Sequence, residues 1–593
     1  MKQDVTAKTS IHLLILAAAA VAIYSNTFQV PFLWDDLTSI TENPVIKNLE
    51  NFFLNARGYE FNPRRFVGYL TLAFNYSIGG LDVTGYHVVN LAIHIINSLL
   101  LYALILLTFR TPAVRTSALS PHAGLLALCA ALLFVVHPIQ TQAVTYIVQR
   151  LTSLTALFYL LSLCLYAQWR LAREEHPAQG RKGLPLYIFS LITIVLAMKT
   201  KEIAFTLPVM VVLYEFCFFR QRKLISLVPV LLTLAIIPFS LINIAKPVGV
   251  VLSDVSEITK VQAQISRWDY LLTQFTVITT YIRLLFLPVN QNLDYDYPVY
   301  ESFWAVPVLL SFLFLLALVV LGVYLFVRSG WRQGEGRGGS RLAAFGVFWF
   351  FIALSVESSV IPIIDPIFEH RVYLPSAGFF IAFATGLAVM VQKVNSGAAA
   401  KGIAAVVITA VVVLGGATYA RNGVWQSETA LWEDVVEKSP LKARPHNNLG
   451  SFYDKQGRSE EAVREILTAI QLKPDNDYAY YNLGIAYTGL GRIDDAIEAY
   501  RTAIRINPRS ARAYNNLGIL YGRQRQMDDA VQAFLKAIEI NPDYVEGHHN
   551  LGVTYRVQGR LDEAAGEFRT VLSLNPDHAG ARKNLESLLR MMK

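Results

Sequence analysis

"ARPHNNLGSFYDKQGRSEEAVREILTAIQLKPDN", residues 443–476, decides how the C-terminal part of the chain folds, because its key letters return 34 residues later. "NNLG" at 447 is followed by "YNLG" at 481, "NNLG" at 515 and "HNLG" at 549. In the same register come Tyr453, Tyr487, Tyr521 and Tyr555, then Ala462, Ala496, Ala530 and Ala564, then Pro474, Pro508, Pro542 and Pro576. A fixed period of this length means one small unit repeated and stacked. Each unit reads as two helices: the glycine lets them approach closely, large residues fill the gap, and the proline ends the second helix. Stacked units make an α-solenoid with a concave groove.

The pattern is that of the tetratricopeptide repeat, with four full copies over 443–578. Upstream, "SETALWEDVVEKSP" (427–440) has the spacing of a lone second helix with Trp432 in the large-residue slot, so 421–442 reads as a junction. Downstream, "ARKNLESLLRMM" has Glu586 where the repeats carry glycine, and 579–593 reads as a capping helix. Asn448, Asn482, Asn516 and Asn550 occupy one position in every repeat. An amide both donates and accepts, so these side chains either hold the backbone of an extended peptide or satisfy polar groups between repeats. This part binds and does not catalyse.

Further upstream the composition changes. Of the 593 residues, 54% are hydrophobic and 16% charged, against about 25% charged in soluble domains, and nearly all the long apolar runs fall within 1–420. Crossing a bilayer takes about 20 apolar residues. Eleven stretches are expected to do so, near 11–29, 86–108, 123–137, 151–169, 184–198, 202–219, 224–243, 303–327, 341–357, 371–391 and 401–420. The first is expected to be a retained anchor, since it is long for a signal peptide and lacks a clear cleavage site. Basic residues recur at alternate ends (Lys2 and Lys8, Arg110 and Arg115, Arg170 to Lys182, Arg220 to Lys223, Arg328 to Arg341, Lys393 to Lys401) and mark those ends as cytoplasmic. A twelfth run, 268–288, breaks the alternation and is expected to be re-entrant or surface-lying. An odd number of spans places Asp35, the 245–302 segment, "EHRVYLP" and the repeats on the non-cytoplasmic side. The net charge of +8 is then a record of topology, and no nucleic-acid partner is expected. Cys129, Cys164 and Cys217 lie in the apolar runs without metal or disulfide spacing and read as packing residues.

One face gathers the ionisable groups: Asp35, Asp36, Arg64, Arg65, His87, His137, Arg150, Lys199, Lys201, Glu202, Arg283, Asp294, Asp296, Glu369 and Arg371. Charges near membrane depth are costly and commonly line a water-filled cavity or ligand path, although single ones also snorkel to the interface. Asp35 and Asp36, just past the first apolar run, taken alone fit a helix cap or a solvated loop end. His87, Asn90 and His94 share one helical face; a metal would need further ligands at matching spacing, so bonds between helices are the better reading.

The ordered motifs "FLWDDLTSITENP", "RRFVGYLTLAFNY", "GYHVVNLAIH", "HPIQTQAVTYIVQR", "KEIAFTLP" and "EHRVYLPSAGF", together with the terminal repeats, resemble the transmembrane and tetratricopeptide-repeat O-mannosyltransferases and their bacterial relatives over nearly the whole chain. Phe66 stands where that family often has proline, and Gln142 where it often has glutamate. The resemblance implies a class C glycosyltransferase: an all-α polytopic bundle over 1–420 that moves a sugar from a polyprenyl phosphate carrier to a protein. It implies Asp35 or Asp36 as the catalytic base. Arg65, Arg150, Lys201 and Arg371 would bind the donor phosphate, and His137, Glu202 and Glu369 would support them.

Those residue types suit that chemistry. A serine or threonine hydroxyl is a weak nucleophile until a carboxylate accepts its proton, and fixed cations stabilise the charge that a leaving phosphate gains. A single displacement inverts the anomeric centre. No obligatory cofactor is expected, and a divalent cation is left open. The partners expected are the bilayer, a polyprenyl-phosphate hexose such as mannose, and a protein acceptor in the repeat groove, at the periplasmic face of a bacterial inner membrane. Two alternatives predict other outcomes: a non-catalytic tetratricopeptide scaffold would not need Asp35 and Asp36, and a lipid-linked sugar transporter would need polar groups along its whole path.

Overall fold

Helix is the only regular structure among the described residues, and loops join the helices directly. The computed structural model describes residues 2–175, 183–220, 224–241, 265–330, 338–359, 361–394 and 397–592. It divides into two units, Met1–Ser427 and Glu428–Lys593.

In the first unit five helical segments are long and apolar enough to cross a membrane: Val83–Arg110, Ile147–Glu175, Val306–Ser329, Glu369–Val394 and Gly397–Gln426. A sixth arises if Ser120–Val136 and Pro138–Val144, bent by 55° at their junction, count as one. The protein is therefore an integral membrane protein, but the expectation of about eleven spans is corrected to five or six among the described residues. Helix length is the reason. Lys8–Ile23, Leu184–Met198, Leu224–Ser240 and Gly338–Leu354 are apolar but run for 10–17 residues, roughly 15–25 Å at 1.5 Å per residue, short of a hydrocarbon core of about 30 Å. The stretch expected at 202–219 divides into a 3₁₀ turn, Glu202–Thr206, and a helix of 12 residues, Leu207–Phe218. Arg267–Phe286, from the run expected to be re-entrant, forms one 20-residue helix and is not among the candidate spans. The basic stretches at 176–182, 221–223 and 331–337, and residues 242–264, lie outside the described residues.

Small residues let two helices of this unit meet closely. A Cβ on Gly346 would lie 2.5 Å from the Gly378 carbonyl oxygen, and one on Gly378 would lie 2.6 Å from that of Gly346, so Gly338–Leu354 and Tyr373–Val394 meet backbone to backbone. Trp349 is sealed beside them, its Nε1 donating to the Leu374 carbonyl at 3.0 Å. Cys129, Cys164 and Cys217 are free thiols in this core.

The polar face of Val83–Arg110 bonds its neighbours. His87 Nε2 lies 2.8 Å from the Val30 carbonyl, Asn90 Nδ2 donates to the Val144 and Ile147 carbonyls, and His94 lies 2.7 Å from the Tyr373 hydroxyl and 3.2 Å from the Val135 carbonyl. No group of three or more metal-binding side chains occurs among the described residues.

The second unit starts with Glu428–Lys438, on which Trp432 is buried, continues through four helix pairs from Ala443–Lys455 to Leu561–Leu574, and ends with Ala579–Met591. The repeating glycine faces the large residue 16 positions on. A Cβ at Gly450, Gly484, Gly518 or Gly552 would approach Ile466, Tyr500, Phe534 or Phe568 to 2.5, 2.6, 2.8 or 2.9 Å. Those contacts leave no room for any larger residue.

Candidate active site

The chain leaves its first helix at Ile23 and reaches Trp34, which holds a left-handed backbone with φ 46°. That conformation is costly for a residue with a Cβ and persists only where its surroundings hold it. The restraints lie on both sides. Leu33 N donates to Asp36 Oδ2 at 3.0 Å, Val148 N donates to Asp36 Oδ1 at 2.7 Å, and Asp35 N donates to the Tyr146 hydroxyl at 2.9 Å. Tyr146 is itself buried and stacked on Trp425 at 5.6 Å.

The two adjacent acids therefore occupy different environments. Asp36 is 1% exposed, with both carboxyl oxygens engaged by backbone donors, whereas Asp35 is exposed and lines a cavity of about 310 Å³. Burial pushes Asp36 up to about 8, and the charge of Asp35 adds to it, against the backbone donors of Leu33 and Val148.

Cations from three distant segments line the same cavity: Arg65, Lys201 and Arg371. Arg65, just before the helix Phe66–Gly79, reaches Glu202 through Nη2 at 3.1 Å, and Arg64 shares that carboxylate at 3.4 Å. Burial opposes the charge of Glu202, but the guanidiniums of Arg65 and Arg64 together with a backbone donor outweigh it and hold the carboxyl below its usual range. Lys201 pairs with Glu357 at 3.2 Å and donates to Thr152 Oγ1 at 2.9 Å. Burial, with help from the charge of Arg65, draws its ammonium below the usual lysine value, against the pull of Glu357. Arg371 donates to the Pro366 and Asp365 carbonyls at 2.9 Å each and lies 5.3 Å from the Phe368 ring.

Three other residues singled out from the sequence are placed in the scaffold around the cavity. Arg150 is fully buried, and Asn90 Oδ1, Asn75 Oδ1 and the carbonyls of Tyr86 and Thr71 take its guanidinium donors. Glu369 accepts from Asn292 N, Tyr295 Oη and Gln291 Nε2 at 2.6–2.7 Å and so ties down the 291–295 loop. His137 accepts from Ile139 N through Nδ1, which leaves Nε2–H to donate to the Leu285 carbonyl at 3.2 Å.

Glu357, Tyr146 and His370 also line the cavity and were not singled out from the sequence. A charge at the end of an apolar run would have flagged Glu357. Nothing local marks Tyr146, which matters through a contact 111 residues away.

In the second unit the four repeated asparagines are half-buried. Asn482 Nδ2 donates to Asn447 Oδ1 at 3.0 Å, Asn550 Nδ2 to Asn515 Oδ1 at 2.9 Å, and Asn516 Nδ2 lies 3.4 Å from the Tyr481 hydroxyl. Each bond ties a repeat to the one before it. Asn448 opens the series in the first repeat.

Tetratricopeptide-repeat family profiles match residues 450–491, 481–545 and 533–565. The chain is 25% identical over 477 residues to Protein O-mannosyl-transferase F38B6.6 of Caenorhabditis elegans, covering 78% of this chain and 63% of that protein. It is 24% identical over 503 residues to Protein O-mannosyl-transferase TMTC3 of Homo sapiens, covering 78% of this chain and 51% of that one. The chain thus spans between about half and two thirds of the length of these relatives. Among solved structures, MamA is similar at 28% identity, with a TM-score of 0.24 over 26% of this chain and 89% of its own.

Proposed function

For a tetratricopeptide-repeat chain homologous at low to moderate identity to the protein O-mannosyl-transferases, we propose that the membrane unit moves a hexose, mannose by analogy with those relatives, from a polyprenyl phosphate to a serine or threonine hydroxyl of a protein. The observation that carries this reading is one cavity holding the exposed carboxylate of Asp35 with Arg65, Lys201 and Arg371.

Asp35 is the base and Asp36 a positioning residue. The acceptor oxygen attacks the anomeric carbon, its proton passes to Asp35, and the bond from that carbon to the phosphate oxygen breaks. The electron pair stays on the polyprenyl phosphate, where the three cations stabilise it. One displacement inverts the anomeric centre, and the step draws its positive charge from side chains without calling on a metal. Arg150 and Glu369 serve by holding the walls.

A second cavity of about 340 Å³, lined wholly by apolar residues including Phe286, Phe314, Phe350 and Phe379, suits an isoprenoid tail. The segment Glu369–Val394 supplies Arg371 to the polar cavity and Phe379, Ala382 and Phe383 to the apolar one, a separation of about 12–18 Å along a helix. A carrier with a charged head and an apolar tail matches that pairing.

Charge placement supports a non-cytoplasmic, in bacteria periplasmic, site. Val83–Arg110, Ile147–Glu175 and Glu369–Val394 end on Arg110, Arg173 and Lys393, and the last two begin among cavity residues, so the basic ends face away from the site. By the same rule Lys401 opens the last span on the cytoplasmic side, and the repeats follow on the other. There the asparagine series would hold the acceptor's backbone.

The test incubates the purified full chain with polyprenyl-phosphate hexoses and a hydroxyl-bearing acceptor, and follows acceptor mass. The wild type adds a hexose; Asp35→Asn loses about 10²–10⁴-fold in rate with its unfolding midpoint unchanged. Equal transfer by the two proteins, or none by the wild type, rejects the mechanism.

A further inference from the structure

The polar cavity is also lined by two groups that the phosphate chemistry does not use, Gln142 and His370. Gln142 Oε1 lies 2.7 Å from the backbone nitrogen of His370 and 3.2 Å from its ring Nδ1. A backbone N–H only donates, so the atom facing it is the amide oxygen, which fixes the orientation of the amide. An oxygen with two lone pairs accepts twice, so Nδ1 approaches as N–H. The ring proton is thereby assigned to Nδ1, and in the neutral ring Nε2 is left as an acceptor. The ring is also fixed in plane, stacked on Phe368 at 5.3 Å and 26°.

What remains is a matched pair. Gln142 Nε2, a donor, and His370 Nε2, an acceptor, make no hydrogen bond to another described residue, whereas Gln142 Oε1 and His370 Nδ1 are engaged with each other. Both nitrogens belong to residues that line the cavity, where a ligand can meet them. The phosphodiester of the donor, a monoanion at neutral pH, has no proton to give to Nε2 and already has three cations to meet. A sugar offers hydroxyls that donate and accept side by side, which is what a donor next to an acceptor reads.

Resting on the transfer reading above, we propose that Gln142 and His370 form the recognition element for the donor sugar: His370 Nε2 accepts from one hydroxyl of the hexose and Gln142 Nε2 donates to another, with Gln142 also holding the His370 tautomer. His370 is on this account a specificity residue that binds the sugar and leaves the proton transfer to Asp35.

The experiment measures donor affinity and turnover on the same full-length preparations, with a polyprenyl-phosphate hexose and its monodeoxy analogues as probes. His370→Phe keeps the stacking on Phe368 and removes the nitrogen. It should weaken hexose-donor binding about tenfold, leave kcat within about threefold, and abolish discrimination against one deoxy analogue. His370→Gln, which returns an amide near the Nε2 position, should recover part of the affinity. A fall in kcat with donor affinity unchanged, or an equal loss for the hexose and all deoxy analogues, overturns the assignment. A wild type that binds donor without transferring sugar rejects the transfer reading, while the affinities still decide the recognition element. A wild type that binds no donor overturns both.

Discussion

Arginine–carboxylate pairs occur in both units, in opposite surroundings. In the membrane unit Arg170 and Glu215 are 45 residues apart and fully buried, joined at 2.8 and 3.0 Å, with Tyr166 donating to the same carboxylate at 2.9 Å and the Phe219 ring 4.2 Å from the guanidinium. In the solenoid Arg458–Glu461, Arg492–Asp495 and Arg560–Glu563 join residues three apart on the exposed first turn of a second helix, each arginine lying about 4 Å over Tyr453, Tyr487 or Tyr555 (4.0, 4.4 and 4.1 Å). Water and salt screen the second kind, so each pair contributes little to stability. Burial makes the first kind all or nothing, because removing one partner strands a charge. The membrane unit is thus organised by contacts between distant segments, and the solenoid by neighbours within a repeat or one repeat away.

The sharpest way to break that contrast is Glu215→Ala. It takes from the buried Arg170 guanidinium its nearest carboxylate and leaves the more distant Glu174, 3.5 Å from Nη2, at a cost of up to about 3–5 kcal/mol, read as a lowered unfolding midpoint of the detergent-solubilised protein. Replacing both residues with apolar ones of similar volume should recover most of the loss. A midpoint for Glu215→Ala within error of the wild type would show that the pair is wetter than its burial implies.

The same division explains what could be read from residues alone. The glycine of each repeat meets a side chain 16 positions away, so Gly450, Gly484, Gly518 and Gly552 disclose their role in one period of sequence. Adjacent Asp35 and Asp36 were visible as a motif, but their difference was not, since Val148 and Tyr146 create it from 112 and 111 residues away. Arg150 reads as a phosphate ligand by charge, yet two helices, Phe66–Gly79 and Val83–Arg110, supply the neutral acceptors that occupy it. The apolar runs and their ends at Met198 and Phe218 are legible in the sequence, but runs of about 15 residues fall short of a bilayer, and hydropathy registers neither that shortfall nor the bend at His137.

A smaller effect is expected where the solenoid is most tightly packed. Gly518→Val drives a side chain into Phe534, whose ring carbons already stand 2.8–3.0 Å from an added Cβ. Overpacking of this kind costs about 1–3 kcal/mol. Because a stacked repeat touches only its neighbours, hydrogen exchange should rise over 511–540 and the adjoining helices and stay unchanged in the membrane unit. Spread of the loss into the membrane unit would break the picture of locally organised repeats.

The smallest effect concerns His446, a case between the two kinds of pair. Its Nδ1 lies 2.7 Å from Glu465 Oε2 and its Nε2 lies 2.9 Å from the Pro440 carbonyl, and the same contacts recur at His548 with Glu567 and Pro542. Both partners of the ring are acceptors. The hydrogen bond to Glu465 raises the His446 pKa above 6.5, burial opposes it, and the Pro440 carbonyl adds to the rise. A raised histidine pKa contributes stability that is complete below the unfolded value of 6.5 and is lost as pH rises through the folded one. Exchange protection over 443–472, corrected for intrinsic rate, should therefore decline above about pH 6.5 by an amount near 0.2–1 kcal/mol, and His446→Gln should flatten that decline. An unchanged decline in the variant would move the pH sensitivity to another group, and protection that rises with pH would reverse the sign assigned to the pair.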